Sequence, residues 1–112
     1  MHLIGGRDPN RPLHVGQRVD VPKDTLITVT TVPANGIKYL SKITCSGEEN
    51  ARWEIYINNV LKETKRTINR TVDFEWTTPL KILDAEVVDI KATHYGPGDT
   101  ATLDATVFGF PG

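Results

Sequence analysis

The chain has 112 residues, of which 38% are hydrophobic and 24% charged, and its formal net charge is −1. This composition fits one folded domain with its own core and argues against an intrinsically disordered chain. The near-neutral balance also lacks the basic excess of a protein that mainly binds nucleic acid. No run approaches the ~20 apolar residues of a membrane helix. The first residues lack the basic and apolar parts of a secretory signal, so we expect synthesis and folding in a cytoplasm.

Residues 1–17 predict an extended arm, because glycines and prolines interrupt them and neither a strand period nor a helix period persists. Two interpretations of the arm stay open. It is either a frayed terminus or a segment that lies on a neighbouring subunit or partner. In the second case its contacts would come from Leu3, Ile4, Arg7, Leu13 and Val15.

From residue 18 onward, short strand-like segments follow one another with polar turns between them. Many are rich in β-branched residues or alternate apolar and polar side chains, as half-buried strands do. The best-defined hairpin turns at Asn58 and Asn59, residue types that tolerate the left-handed backbone of a tight turn. The predicted strands are 18–22, 25–32, 37–45, 52–57, 60–65, 71–77, 80–83, 86–95 and 100–110.

These segments predict an all-β fold, with one antiparallel β-sandwich domain over residues 18–112. The connections favour a jelly roll of two four-stranded sheets. An immunoglobulin-like sandwich is the alternative, although its usual pair of cysteines is absent. The order of the strands within the sheets stays open at this point.

The alternation of side chains predicts which residues face the core. Trp53 and Trp76 both fall on inward faces. The single cysteine, Cys45, ends an alternating apolar run and is expected to be a small buried hydrophobic residue. His94 shares the inward parity of its strand, so we expect it to cap the edge of the core.

No pattern in the sequence predicts catalysis or a bound metal. Asp73 and Glu75 share one strand face about 7 Å apart. Because they alternate with apolar residues, a solvated outer face is favoured over a pair that hydrolyses sugars. No closely spaced histidine pair suits zinc or iron, and no acidic loop defines a calcium site around Asp20, Asp24, Asp84, Asp99 or Asp104. We therefore expect a protein that is not an enzyme and has no cofactor.

Two groups of residues are candidates for contact with a partner. The first is a basic cluster after the hairpin, which is either a solvated loop or a surface for an acidic partner: Lys62, Lys65, Arg66 and Arg70. The second is a set of aromatic side chains on faces opposite the inferred core, namely Tyr56, Phe108 and Phe110.

The order of the elements resembles a class of small β-sandwich proteins encoded by tailed bacteriophages. The resemblance covers residues 25–110 and lies in the segments TVPANGIKYLSKITCSGEENARWEIYINNVLKETKR, VDFEWTTPLKI and VVDIKATHYGPGDTATLDATVFGF. Their shared features are a VPAN turn, a polar SGEENA loop, a tight hairpin and a late strand of the ATVFG type. The chain departs from the pattern at Asn58 and Asn59, where glycine is more usual, and in the arm.

The resemblance implies a structural protein of the virion, similar to capsid decoration (cement) proteins and to jelly-roll modules of tails and head fibres. It implies a homotrimer or another symmetric oligomer, docked on the major capsid protein or another virion protein, with no nucleic-acid or membrane partner. The alternative function is a carbohydrate- or receptor-binding sandwich that serves as a tail or fibre adhesin. Such a site would need exposed aromatic residues in a row, whereas both tryptophans are predicted to point inward.

Overall fold

The computed structural model describes residues 14–33, 36–67 and 70–111, which form eight β-strands. No helix in these ranges is long and apolar enough to cross a bilayer. The strands are β1 (His14–Pro22), β2 (Leu26–Pro33), β3 (Lys38–Gly47), β4 (Ala51–Ile57), β5 (Val60–Arg66), β6 (Thr71–Ile82), β7 (Val87–His94) and β8 (Thr100–Pro111).

The strands form two four-stranded antiparallel sheets that pack against each other. The first sheet has the order β1-β8-β3-β6 and the second has the order β2-β7-β4-β5. This order, in which every connection except the β4–β5 hairpin crosses from one sheet to the other, is that of a jelly roll. The predicted all-β sandwich is therefore confirmed. The immunoglobulin-like alternative is wrong, because that fold pairs its first two strands within one sheet, whereas β1 and β2 lie in different sheets here.

The predicted arm is too long by four residues, because β1 begins at His14 rather than at Arg18. Residues 14–17 pair with residues 105–108 of β8, so the boundary drawn after residue 17 falls inside a strand. Gly16 does not end this strand but suits it, because a Cβ there would lie 3.1 Å from Thr106 Oγ1. Residues 1–13, the rest of the arm, lie outside the described residues.

The two strands predicted at 71–77 and 80–83 are one strand, β6. Proline suggested a break, but β6 is an edge strand of the first sheet, where the missing N–H of Pro79 costs no sheet hydrogen bond. The register is irregular at this point: Leu40 pairs with Leu80, and Lys42 pairs with Glu75. The extra residues of β6 bulge opposite β3, and the strand resumes beyond them.

The core lies between the two sheets and is made of alternate residues of nearly every strand. Trp53 and Phe74 are its largest fully buried side chains. Cys45 is also fully buried, as predicted, and burial raises the pKa of its thiol. The approach of β3 to β8 depends on Gly47, because a Cβ there would lie 2.2 Å from the side chain of Leu103.

The connections gather at the two ends of the sandwich. The loop end carries the β1–β2, β3–β4, β5–β6 and β7–β8 connections, and the hairpin end carries the other three. At the hairpin end, Asn58 and Asn59 have φ values of 49° and 63°, as the predicted tight turn requires. This end is also where the chain enters β1 and where β8 finishes.

Candidate functional site

The exposed aromatic residues of β8 lie on the outer face of the first sheet, as predicted. Phe108 is 36% exposed and Phe110 is 44% exposed. Phe110 pairs with Tyr39 of β3, and their rings stack with centroids 5.5 Å apart. A stacked pair of this kind forms a flat apolar surface rather than isolated exposed rings.

Two aliphatic side chains extend this surface at the hairpin end. Lys38 pairs with Ile82, so continuing that register by one residue places Ile37 beside Leu83. Their exposed fractions are 41% and 50%. We call this surface the apolar corner and define it as Ile37, Tyr39, Leu83 and Phe110. A contiguous apolar surface of this kind is typical of an interaction site.

Four of the five candidate residues in the arm lie outside the described residues, namely Leu3, Ile4, Arg7 and Leu13. Val15 belongs to β1, where it pairs with Val107 of β8. Within the first sheet, β8 lies between β1 and β3, the strand that contributes Tyr39 to the apolar corner.

The predicted basic cluster does not form one surface. Lys65 turns towards the opening between the edge strands β5 and β6, where its Nζ donates to the Asp73 carbonyl at 3.0 Å. The same ammonium group lies 5.3 Å from the centre of the Phe74 ring. Lys65 therefore stabilises the side of the sandwich and is only partly accessible to a partner.

The other three basic residues point in different directions. Lys62 is exposed and is the extra residue of a bulge in β5, because its neighbours Leu61 and Glu63 pair with two adjacent residues of β4. The Arg66 guanidinium lies 5.3 Å from the centre of the Tyr95 ring. Arg70 is the last residue of the β5–β6 connection and lies beside residues of the first sheet, such as Ser46 and Thr71. An acidic partner would therefore not meet all four residues together.

Tyr56 lies on the outer face of the second sheet, but it is less available than the sequence suggests. Its hydroxyl donates a hydrogen bond to the Glu54 carboxylate, and Lys91 Nζ lies 4.5 Å from the centre of its ring. Arg52 Nε donates to the other Glu54 oxygen at 3.1 Å. The hydrogen bond to Glu54, together with desolvation, raises the pKa of Tyr56.

Both tryptophans point inward, as predicted. Trp53 is fully buried, and Trp76 packs on the core at the edge of the first sheet. Trp76 Nε1 donates to the Glu63 carboxylate of β5 at 3.1 Å. This hydrogen bond links the two edge strands across the sandwich, so the indole ring does not offer a free face for stacking on a sugar.

His94 closes the core at the loop end, as predicted. The side chain is fully buried, its Nε2 lies 2.6 Å from the Gly98 carbonyl, and its Nδ1 accepts the Gly96 N–H at 3.1 Å. These two contacts suit the neutral tautomer with its proton on Nε2. Glu49 holds the same turn, because its carboxylate accepts the Gly98 N–H. His94 is thus a structural residue of the β7–β8 connection.

The acidic residues considered for chemistry are dispersed over the surface. Asp73 and Glu75 lie exposed on the outer face, each within 4.0 Å of the Lys42 ammonium group. Asp84 accepts the Gly36 N–H, and Asp20 accepts the Thr102 hydroxyl. Within the described ranges, no three histidine, cysteine or acidic residues gather closely enough to hold a metal ion.

The sequence did not predict a polar cleft on the outer face of the first sheet, next to the loop end. Its volume is about 420 Å³, within the range of small-molecule sites. Its walls come from four separate stretches of chain, which is why no local motif indicated it. The lining residues are Arg18, Ser46, Gly47, Glu48, Arg70, Thr71, Thr102 and Asp104.

Hydrogen bonds fix the two carboxylates of this polar cleft. Asp104 accepts from the Ser46 hydroxyl at 2.6 Å and faces Arg18 at 3.4 Å. Glu48 Oε1 accepts the Thr102 N–H at 2.7 Å. Each carboxylate keeps lone pairs that these bonds do not use. The cleft therefore presents preorganised acceptors beside two guanidinium groups.

Comparison with known proteins gives no family for this chain. No protein-family model matches it, and no curated protein matches it significantly.

Proposed function

We propose that this chain is a structural protein of a bacteriophage virion, a decoration protein that binds the capsid shell as a symmetric oligomer and has no enzymatic activity. The observation that carries the proposal is the jelly-roll strand order, β1-β8-β3-β6 facing β2-β7-β4-β5. Viral capsid domains use this architecture. The inference from fold to role is an analogy, and the resemblance of residues 25–110 to small phage sandwich proteins supports it.

The rigidity of the loop end also suits a decoration protein, which has to keep its shape on a shell. Backbone hydrogen bonds hold the described parts of the connections there: Lys23 N–H donates to the Asp99 carbonyl and Tyr95 N–H to the Asn50 carbonyl, each in another connection, and Glu48 N–H donates to the Thr102 carbonyl of β8. Such bonds leave little freedom to the loops. A lid or a mobile catalytic loop would need the opposite arrangement.

We assign the contact between copies to the apolar corner. Its side chains Ile37, Leu83 and Phe110 are 41%, 50% and 44% exposed, and a symmetric oligomer would bury them against the same surface of a neighbouring copy. β1 begins at the same end of the sandwich, and we propose that the arm preceding it adds to this contact or reaches the shell.

Light scattering of the purified protein tests this assignment. We expect a mass that is a multiple of 12.4 kDa, three times that value for a trimer. Leu83→Asp should reduce the mass to that of one chain, because it buries a charge in the contact. Leu26→Asp is the matched control, since Leu26 is 43% exposed at the start of β2, away from the apolar corner. A wild-type protein that stays monomeric at all concentrations would contradict the assignment.

The second candidate function, a carbohydrate- or receptor-binding adhesin, is not supported by the tryptophans, because Trp53 and Trp76 belong to the core and its edge. A stacking platform for sugar rings would therefore have to use other aromatic residues. The polar cleft, which contains no aromatic residue, is the feature that bears on ligand binding.

A further inference from the structure

The polar cleft combines fixed acceptors with a guanidinium group that has no partner of its own. Arg70 is exposed, and among the described residues its side chain makes no hydrogen bond or ion pair. Its backbone is firmly held: its N–H donates to Asn50 Oδ1 at 2.9 Å, and its carbonyl accepts the Gly47 N–H at 3.2 Å. The side chain thus starts from a fixed point at the rim of the cleft.

The backbone of Arg70 is also in a conformation that arginine rarely adopts. Its φ is 67°, in the left-handed region that favours glycine or asparagine. Folding alone would be better served by glycine at this position. An arginine kept in a strained position beside an open cleft indicates a use for its side chain beyond the fold.

We propose that the polar cleft binds a carboxylated sugar residue, such as a uronic or sialic acid. Arg70 binds the carboxylate of the sugar, since a guanidinium group matches a carboxylate in charge and geometry. Glu48 and Asp104 accept hydrogen bonds from the hydroxyl groups of the sugar. The volume of about 420 Å³ accommodates one such residue. This inference goes beyond the proposed structural role and does not depend on it.

The lining of the cleft distinguishes this ligand from simpler ones. A bare anion would be drawn to Arg70 but repelled by Glu48 and Asp104, at the same rim. A neutral sugar would satisfy the carboxylates but leave Arg70 without a partner. An acidic peptide would bring further negative charge and few hydroxyl donors. A ligand with one carboxylate and several hydroxyl groups matches both kinds of group.

Nitrogen–proton NMR titration of the full chain tests the proposal with four probes: glucuronic acid, N-acetylneuraminic acid, glucose and acetate. We expect saturable shifts of the amide signals of Gly47, Thr71 and Thr102 with at least one of the two acidic sugars, with a Kd on the order of 1 mM. Glucose and acetate should bind at least about tenfold more weakly, because glucose lacks the carboxylate and acetate lacks the hydroxyl groups. Equal shifts with acetate or glucose, or no saturable shift with either acidic sugar, would overturn it.

Arg70→Gly provides a variant that removes the guanidinium and keeps the fold, because glycine suits the left-handed backbone. We expect it to weaken binding of the acidic sugar at least about tenfold. Arg66→Gln is the matched control, since Arg66 is exposed on the other sheet, against Tyr95, and it should bind as the wild type does. Unchanged affinity in Arg70→Gly, or an equal loss in Arg66→Gln, would refute the assignment.

Discussion

Cys45 lies near the end of β3 with its side chain fully buried. Burial raises the pKa of its thiol, and the carboxylates of Asp73 and Asp104 add to this effect. The thiolate that reacts with alkylating reagents is therefore scarce in the folded protein. The residue acts as a small apolar side chain in a tightly packed layer.

We predict that Cys45 does not react with iodoacetamide while the protein is folded. Labelling should begin in the denaturant range where the fluorescence of the buried Trp53 reports unfolding. Mass spectrometry of samples quenched along the denaturation curve gives the labelled fraction. Rapid labelling under native conditions would show that β3 opens locally, contrary to this account.

Tyr56 and Glu54 form a hydrogen-bonded pair on the outer face of the second sheet. Because the bond raises the pKa of Tyr56, it favours the neutral phenol in the folded state. Its contribution to stability is thus present at neutral pH and is lost as the pH rises through the raised pKa.

We predict that Glu54→Gln lowers the pKa of Tyr56 towards the value of a free tyrosine. The measurement is an ultraviolet titration of tyrosinate in a background that carries Tyr39→Phe and Tyr95→Phe, so that one tyrosine remains. Glu63→Gln, a change on the neighbouring strand, serves as the control. The interpretation fails if the two glutamine variants titrate alike.

Gly47 marks the closest approach between β3 and β8. We predict that Gly47→Ala lowers the free energy of unfolding by about 1–3 kcal/mol, because the added methyl group overlaps the Leu103 side chain. At Gly98 a Cβ would meet the end of the flexible Glu49 side chain at 3.3 Å, so Gly98→Ala should cost clearly less. Chemical denaturation of both variants decides the point, and equal losses would contradict it.

At the scale of elements, two turns adopt the same left-handed backbone conformation with residues that differ in how well they tolerate it. Ala85 in the β6–β7 connection has a φ of 68°, whereas Gly36 in the β2–β3 connection has a φ of 79°. Alanine is unfavourable in this region and glycine is not. The two turns lie at the same end of the sandwich and form a matched pair.

We predict that Ala85→Gly raises the melting temperature by a few degrees, since relief of about 1 kcal/mol of strain exceeds the added entropy of the unfolded chain. Gly36→Ala should lower the melting temperature by a similar amount. Calorimetry of the two variants measures both changes. A fall in Ala85→Gly together with no change in Gly36→Ala would contradict this explanation of the turns.

The strands themselves were largely predictable from the sequence, because alternation and turn residues are local signals. The hairpin at Asn58 and Asn59 is an example, since both residues adopt the left-handed backbone that their side chains tolerate. The predicted strand bounds were wrong where the position of a segment in the sheet, rather than its own residues, determines whether the strand continues. Gly16 and Pro79 suggested breaks, but β8 supplies the partner for the first, and the edge position of β6 accommodates the second.

The surfaces were less predictable, because they combine residues from distant parts of the chain. Arg70 and Lys65 are close in sequence, yet Arg70 lines the polar cleft and Lys65 faces the opening between the edge strands. The strand order β1-β8-β3-β6 sets Arg18 and Arg70 on opposite sides of the cleft, with Asp104 and Ser46 between them. This grouping follows from the strand order, which could not be derived from the sequence.

At the scale of the whole molecule, two outer surfaces of the first sheet have different properties. The apolar corner at the hairpin end suits contact between copies, and the polar cleft near the loop end suits a small polar ligand. Because they lie towards opposite ends, an oligomer formed through the corner would leave the clefts open.

The binding of this protein to assembled capsid shells tests the proposed function most directly. The shells are made from the major capsid protein encoded in the same genome, and the mixture is sedimented through a density gradient. We predict that the wild-type protein sediments with the shells at a fixed ratio and that Leu83→Asp does so more weakly, whereas Leu26→Asp behaves as the wild type does. If the wild-type protein stays at the top of the gradient with intact shells, the decoration function is contradicted.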